Sequence, residues 1–264
     1  MNRIDKTFAT LKDKGEKALV GFVSAGDPDP EKSLKLISAM CDGGLDILEL
    51  GIPFSDPTAD GPVIQRSSAR ALKSGTRLST VLDMSRELRK KTEIPIILFS
   101  YYNPIHYYGP EKFCRDAQDA GADGVLVVDL PPEESQELTR FFDKDRFSII
   151  RLVAPTTSEA RMQTISDTAS GFIYLVSKTG VTGSDGLDTR EISSLCGRLK
   201  SLTDLPVCIG FGISTAEDVA AIARVADGVV IGSAFERMIE NNFDNPELCS
   251  ILYQKVREYK KATL

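Results

Sequence analysis

The sequence predicts an α/β protein: a closed (β/α)8 barrel of the TIM type, with an extra N-terminal helix and a C-terminal outer helix. Eight short apolar segments alternate along the chain with segments of helical periodicity. Repeated strand-then-helix units require parallel strand pairing, and eight of them favour a closed barrel over an open sheet. The length of 264 residues fits one such barrel, and no linker interrupts it, so residues 1–264 are interpreted as a single domain.

Each predicted strand is short, apolar and bounded by turn-forming residues. These strands are Ala18–Val23, Ile47–Gly51, Ile94–Ser100, Gly124–Val128, Ser148–Leu152, Phe172–Val176, Val207–Gly210 and Gly228–Ile231. Helical periodicity follows them in segments such as Glu31–Cys41, Leu78–Lys91, Lys112–Ala120, Glu133–Phe142 and Ala216–Ala223. A helix at Ile4–Lys14 is expected to cover the bottom of the barrel, and Pro246–Lys261 is expected to form the last outer helix.

A short pattern recurs where a helix leads into a strand. Asp46, Asp123 and Asp227 each stand directly before a predicted strand and follow small turn residues. The pattern favours repeated units of one architecture, although parallel α/β proteins also use such turns generally.

Composition excludes several classes of function. The 38 acidic and 32 basic residues give a net charge of −6 without a basic block, which argues against a nucleic-acid or membrane surface. No apolar run approaches the length of about 20 residues that crosses a bilayer, and no secretory signal is visible. Five scattered cysteines and a single histidine, His106, predict reduced thiols in a cytoplasmic protein and no metal site.

Glu49 interrupts the second apolar strand. Alternation places Ile47, Glu49 and Gly51 on one face of this strand, and a buried carboxylate there is costly unless it has a purpose. Asp60 follows in a loop dense in proline, glycine and serine. Two carboxyl groups in different environments suit proton transfer. The alternative is a glutamate on an edge strand that faces solvent.

Glycines follow the last two predicted strands, in Gly210-Phe211-Gly212 and at Gly232, and each opens a helix. This placement predicts a phosphate site made of backbone N–H groups. Thr215 stands where a dinucleotide fingerprint requires a third glycine. The loop from Ser177 to Gly186 is long and rich in glycine and serine, which suits a lid over the substrate or, alternatively, an ordinary surface loop.

The motifs together resemble the tryptophan synthase α subunit family. The most specific motif is Leu48-Glu49-Leu50-Gly51-Ile52-Pro53-Phe54-Ser55-Asp56-Pro57-Thr58-Ala59-Asp60-Gly61-Pro62-Val63-Ile64-Gln65. Further likeness lies in Ser100-Tyr101-Tyr102-Asn103-Pro104, Asp129-Leu130-Pro131, Gly180-Val181-Thr182-Gly183, Gly210-Phe211-Gly212-Ile213-Ser214 and Gly232-Ser233-Ala234. The landmarks keep the family's order over nearly the whole chain.

The resemblance implies a retro-aldol cleavage of indole-3-glycerol phosphate to indole and D-glyceraldehyde 3-phosphate, with no cofactor in this chain. It implies that Glu49 is the catalytic acid and base and that Asp60 interacts with the indole nitrogen. It further implies phosphate binding by the backbone at Gly183, Gly212, Gly232 and Ser233. Substrate contacts are expected from Tyr174, from Thr182 (through Asp60 when the lid closes), and from an apolar wall of Phe22, Ile64, Tyr101 and Phe211.

The resemblance also implies a partner: a β subunit that contains pyridoxal phosphate and receives the indole, in an α2β2 tetramer. Pro53, Asp56 and Asn103 would face it. One departure concerns the lid, where Ser184-Asp185-Gly186 follows Gly183 although many relatives carry a basic residue there. Three alternatives stay open: a non-catalytic activator of the β subunit, a lyase that releases free indole, and another phosphate-binding barrel such as an isomerase of histidine biosynthesis.

Overall fold

A computed structural model describes residues 2–176, 189–210 and 212–264 of the chain. Eight parallel strands follow one another around a closed barrel in sequence order, and β8 pairs with β1. The predicted fold class is therefore confirmed. The strands are β1 (Ala18–Ser24), β2 (Ile47–Gly51), β3 (Ile96–Ser100), β4 (Gly124–Val127), β5 (Ser148–Val153), β6 (Ile173–Val176), β7 (Val207–Gly210) and β8 (Gly228–Ile231).

Helices connect the strands on the outside of the barrel. They are α1 (Arg3–Lys14), α2 (Pro30–Gly43), α3 (Pro62–Lys73), α4 (Leu78–Arg89), α5 (Tyr102–Tyr108), α6 (Pro110–Asp119), α7 (Gln136–Thr139), α8 (Glu159–Asp167), α9 (Thr189–Lys200), α10 (Ala216–Ala223), α11 (Ser233–Asn242) and α12 (Leu248–Lys261).

Several predicted elements are shorter in the structure, and two of them have a clear local cause. The strand expected from Ile94 begins at Ile96, because Pro95 has no N–H to donate to the sheet. The helix expected over Glu133–Phe142 is reduced to the four residues of α7. There the backbone forms tight turns with bonds between residues three apart, such as Glu134 N–H to the Pro131 carbonyl, instead of a continuous α-helix.

Helix α1 covers the bottom of the barrel, as its sequence predicts. Ile4, Phe8 and Leu11 are buried with the inward-facing residues at the amino ends of the strands. The ring of Phe8 packs against that of Phe172, with 5.8 Å between the centroids. The helix therefore seals the interior from below and leaves the carboxyl ends of the strands as its open end.

The strands separate two packed layers. Ile47 faces the barrel interior, whereas Leu48 and Leu50 pack outward against the helices, so the alternation predicted for β2 is confirmed. Glu49 faces inward with Ile47. The inward face therefore delivers a carboxyl group to the centre of the barrel near its open end.

The recurring aspartates bind the start of a neighbouring strand. In each case one carboxylate oxygen accepts a backbone N–H at the start of the preceding strand, and the same carboxylate pairs with a basic side chain. Asp46 accepts the Leu19 N–H at 2.7 Å and pairs with Lys260. Asp123 accepts the Ile96 N–H at 2.9 Å and pairs with Arg89, and Asp227 accepts the Val207 N–H at 3.0 Å and pairs with Lys200. The pattern is a structural device of the barrel bottom.

The structure also describes the state of the cysteines and the lengths of the helices. All five cysteines are free, and Cys114, Cys196 and Cys208 are buried. Within the part of the chain that the structure describes, no helix has both the length and the apolar character needed to span a bilayer.

The most buried of these aspartates is expected to be the most important for stability. Asp123→Ala removes the partner of Arg89, whose side chain is 14 % exposed, and leaves the Ile96 N–H without an acceptor. We expect the free energy of unfolding to fall by about 3–5 kcal/mol, as for other broken buried ion pairs. Asp227→Ala is the matched control, because its pair with Lys200 is about one-third exposed. It should cost only about 1–2 kcal/mol in the same urea titration, and equal losses would contradict this account.

Candidate active site

The carboxyl ends of the strands open into a cavity of about 260 Å³. Inward-facing strand residues form its floor, and the loops after β2, β7 and β8 form its walls. Its lining comprises Phe22, Glu49, Phe99, Tyr174 and Val230 from the strands, 58–61 from the β2 loop, 62–64 from the start of α3, Gly212 and Ile213 after β7, and Gly232, Ser233 and Arg237 after β8.

Glu49 lies at the floor of this cavity and is only 1 % exposed. Neither of its carboxyl oxygens has a hydrogen-bond partner among the described residues. Because burial penalises the charged form, the pKa of Glu49 is raised to about 8. At neutral pH this side chain is therefore mainly a neutral acid, able to give up a proton and to take one back.

The surroundings of Glu49 are aromatic because the neighbouring strands leave room for large rings. Phe22 and Phe99 meet edge to face, with 5.1 Å between their centroids. Gly51 is the next inward position above Glu49, and a Cβ there would stand 2.7 Å from the ring of Phe22. Gly210 likewise leaves the space that the Tyr174 hydroxyl occupies. These two glycines let aromatic rings line the site.

Asp60 is held at the cavity wall by Tyr101. The Tyr101 hydroxyl donates to Asp60 Oδ2 at 3.1 Å and accepts the Ala59 N–H at 2.9 Å. Gln65 supports the same turn, since its side-chain amide donates to the Asp60 carbonyl at 2.8 Å. Burial raises the pKa of Asp60 to about 6, and the bond from Tyr101 opposes that rise. Desolvation is thus the main influence on the Asp60 carboxyl group.

The two carboxyl groups therefore differ at neutral pH. With a pKa of about 8, Glu49 is mostly protonated, whereas Asp60, with a pKa of about 6, is mostly ionised. Both line the same cavity. Such a pair can divide proton transfer from charge stabilisation.

Backbone groups form the other end of the cavity. Gly212 has a φ of 77°, a left-handed conformation that favours glycine. Gly232 is the N-cap of α11 and has no side chain that could accept a hydrogen bond from the first N–H groups of this helix. The positive end of the helix dipole favours an anion at this position.

The structure brings most of the predicted site residues together. Glu49, Asp60, Phe22, Ile64, Tyr174, Gly212, Gly232 and Ser233 all line the cavity. Tyr101 is not among these residues, but it lines a small adjoining pocket with Phe22 and Ile64. Its ring packs against that of Phe54, with 5.3 Å between the centroids. The predicted contact of Tyr101 with the indole stays a prediction. Thr182, Gly183, Phe211 and the predicted lid from Ser177 to Gly186 lie outside the described residues.

The three residues predicted to face a partner lie close to the open end of the barrel but differ in exposure. Asp56 and Asn103 are exposed, whereas Pro53 is buried beneath the β2 loop. Asn103 belongs to α5, which also carries Tyr107, 93 % exposed. A large exposed aromatic beside Asn103 is compatible with a partner surface at this end of the molecule.

Sequence reasoning missed Phe99, Val230 and Arg237 in the cavity lining. Alternation along β3 and β8 could have found the first two, since they share a face with Ile97 and Gly228. Arg237 stands four residues after Ser233 on α11, which places both on one face of the helix.

Within the described ranges no group of three or more His, Cys, Asp or Glu side chains could hold a metal ion.

Comparisons with known proteins agree on one family. The family model described as "Tryptophan synthase alpha chain" matches residues 8–264. The tryptophan synthase alpha chain of Desulfosudis oleivorans is 64% identical over 263 residues, covering 100% of this chain and 99% of the relative. That of Citrifermentans bemidjiense is 46% identical over 264 residues, covering 100% and 98%.

Solved structures give the same result. The tryptophan synthase subunit alpha of Legionella pneumophila superposes with a TM-score of 0.91 at 40% identity, covering 100% of this chain and 98% of that one. A structure of Mycobacterium tuberculosis tryptophan synthase also gives 0.91, at 31% identity and with 99% and 98% coverage.

The burial of Glu49 predicts a pH-dependent stability. Its pKa is about 8 in the folded chain against an ordinary 4.5, so the folded state retains a proton that the unfolded state releases between these values. Stability from this group is complete below pH 4.5 and is lost as pH rises toward 8. We expect Glu49→Gln to have a higher Tm than the parent, with a difference that grows over this window and then levels off. For Asp60→Asn the difference in Tm from the parent should stop growing near pH 6, because the pKa of Asp60 is about 6. A Tm difference that does not change with pH in either variant would contradict the raised pKa values.

The bond between Tyr101 and Asp60 predicts a second titration effect. Tyr101→Phe removes a donor that favours the ionised carboxylate, so the pKa of Asp60 should rise above about 6. The shift is measurable by ¹³C NMR titration of the Asp60 carboxyl. Tyr102→Phe is the matched control, because the Tyr102 hydroxyl bonds Glu137 instead. An unchanged Asp60 pKa in Tyr101→Phe would show that this bond does not act on the carboxylate.

Proposed function

Because this chain belongs to the tryptophan synthase alpha chain family, we propose that Glu49 and Asp60 perform the chemistry of that family in the cavity described above. The chain is a lyase of tryptophan biosynthesis that cleaves indole-3-glycerol phosphate. The observation that carries the proposed roles is the pairing, in one cavity, of a protonated buried glutamate with an ionised aspartate.

Glu49 acts as general acid and then as general base. Cleavage breaks the bond between indole C3 and the hydroxyl-bearing carbon of the side chain. Glu49 in its neutral form gives a proton to C3, and the resulting carboxylate takes the proton of that hydroxyl as the carbonyl of glyceraldehyde 3-phosphate forms. The glutamate ends as it began, and the proton count closes. A pKa near the working pH suits both transfers.

Asp60 stabilises the charge that appears on the other side of the ring. Protonation at C3 makes the indole cationic, with much of the charge at the nitrogen and its hydrogen. Asp60 is anionic at neutral pH and is fixed by Tyr101, so it needs little reorganisation to accept this N–H. In this proposal the hydroxyl of Tyr101 positions Asp60.

The remaining lining residues bind the two ends of the substrate. Phe22, Phe99, Ile64 and Tyr174 offer an apolar, aromatic surface for the indole ring. Gly212, Gly232 and Ser233 would receive the phosphate through backbone N–H groups. Thr182, Gly183 and Phe211 keep the roles that the family resemblance implies for them. Closure of the cavity by these contacts would exclude water from Glu49.

Membership of this family implies a β partner. We propose that the assembly is an α2β2 tetramer in the cytoplasm, and that indole passes from this cavity to the β subunit. The surface beside the cavity mouth that carries Asp56 and Asn103 supports that geometry, with buried Pro53 shaping the loop. This chain would act as one domain and use its own carboxyl groups, with pyridoxal phosphate held by the partner.

The first test is indole release from indole-3-glycerol phosphate, measured for the chain alone and with a β subunit. Glu49→Gln should lower kcat by at least about a hundredfold in both states, because it removes the group that moves both protons. Glu93→Gln is the control, since Glu93 pairs with Arg3 at the opposite end of the barrel, and it should leave kcat unchanged.

The outcomes separate the alternatives. Slow turnover that the partner raises and Glu49→Gln abolishes supports the proposal. Fast turnover that ignores the partner indicates a lyase that releases free indole. No turnover in either state would leave a non-catalytic activator, and full activity in Glu49→Gln would exclude this residue as the acid and base.

A further inference from the structure

The charges inside the cavity are unbalanced for a phosphorylated substrate. Glu49 and Asp60 are two acidic groups in its lining, whereas Arg237 is the one basic side chain there among the described residues. A phosphate ester adds up to two negative charges, and neutral N–H groups offset them only in part. A cationic side chain near the phosphate would reduce the cost of placing it beside Asp60.

Helix geometry places Arg237 on the side of α11 that carries Ser233. Ser233 and Arg237 are the first and fifth residues of α11, so their side chains lie on the same face. The Cα–Cβ bond of a helical residue tilts toward the amino end of the helix. The guanidinium of Arg237 can therefore reach back along one turn toward Gly232 and Ser233, in agreement with its position in the cavity lining.

The basic side chains of Arg66 and Arg70, near Arg237, are already paired with carboxylates. Arg66 forms a two-bond pair with Glu240 at 2.6 and 2.8 Å. Arg70 binds Asp27 through two nitrogens and reaches Glu240 with a third. By contrast, no carboxylate in the described ranges pairs with Arg237, which is exposed at the cavity rim. Its positive charge is available to a ligand.

Contacts made by two glutamates close to Arg237 in α11 hold this helix in place. Glu236, adjacent to Arg237, is fully buried, and its Oε1 accepts the Ser24 N–H at 2.6 Å. Glu240, one turn later, is tied to α3 through Arg66 and Arg70. The helix is thus fixed to the end of β1 and to α3. An arginine on a fixed helix loses less freedom on binding than one on a loop.

We propose that Arg237 is a substrate-binding residue that recognises the charge of the phosphate group at the α11 end of the cavity. This inference rests on the proposed function and adds a residue to it. Arg237 contributes a charge-assisted hydrogen bond to a phosphate oxygen, beside the backbone donors of Gly232 and Ser233. It does not take part in the proton transfers, so its contribution falls on binding of the substrate.

The test compares three variants in the chain with its β subunit. Arg237→Gln removes the charge, Arg237→Lys keeps it without the planar fork, and Arg224→Gln removes an exposed arginine at the end of α10, outside the cavity. Each is assayed for kcat and KM with indole-3-glycerol phosphate. Binding of indole-3-propanol phosphate and of indole-3-propanol is measured by calorimetry, so that the phosphate contribution is isolated.

We expect Arg237→Gln to raise KM and the Kd of the phosphorylated ligand about tenfold, the lower end for a bond to a charged group at a partly exposed site. Its kcat and its affinity for the phosphate-free ligand should stay within about twofold of the parent, because the indole end is untouched. Arg237→Lys should recover most of the loss, and Arg224→Gln should change nothing. Raised salt should narrow the gap between parent and Arg237→Gln.

Equal KM and Kd values in Arg237→Gln and the parent would overturn the inference. So would a loss shared by the phosphate-free ligand, because it would indicate a disturbed fold instead of a lost charge contact. If the parent binds the phosphorylated ligand through Arg237 but releases no indole, the proposed function fails and the phosphate contact stands. The two failures are therefore distinguishable.

Discussion

The burial of one carboxyl group, Glu49, is the constraint on which the rest of the site depends. A side chain that is 1 % exposed and unpartnered among the described residues stays neutral at pH 7 because ionisation there is costly. The proposed mechanism uses that cost, since the same burial brings the pKa of Glu49 to about 8. In this proposal the aromatic rings around Glu49 contribute to the acid–base chemistry, because they keep the carboxyl group away from water. Gly51 and Gly210 affect Glu49 indirectly, because they leave room for the rings of Phe22 and Tyr174.

The cost of such a site is offset at the other end of the barrel. There Asp46, Asp123 and Asp227 bind strand N–H groups and basic side chains, and α1 closes the interior with apolar residues. All of these contacts lie at the amino ends of the strands, away from the cavity. The molecule thus separates the groups that hold the barrel together from the groups that react, which is the usual division in this fold.

The sequence was sufficient for the barrel and for most of the cavity, because both follow from local pattern. Alternation along β2 places Glu49 inside, and the late glycines mark the end that suits a phosphate. The features that the sequence did not predict depend mainly on contacts between distant segments. The bond from Tyr101 to Asp60 joins two loops 41 residues apart, so neither motif alone shows that the tyrosine serves the aspartate. The shortness of α7 similarly depends on the tight turns that Pro131 and Pro132 begin. Arg237 was missed for a different reason: its four-residue spacing from Ser233 was visible, but a single basic residue on a helix is normally a solvated one.

The charges in the cavity influence the protonation of Glu49. A bound phosphate places negative charge in the same enclosed space, and negative charge nearby favours the neutral acid over the carboxylate. Substrate binding therefore reinforces the protonated form of Glu49, which is the form that begins the reaction. In the proposed mechanism, protonation of C3 makes the ring cationic while Glu49 becomes a carboxylate, so that Glu49 and Asp60 both offset its charge. Arg237 lines the same cavity from α11, and its proposed contact with the phosphate would offset the substrate's charge without pairing with either carboxylate. A cation placed beside Glu49 would lower its pKa and remove the acid that the reaction needs.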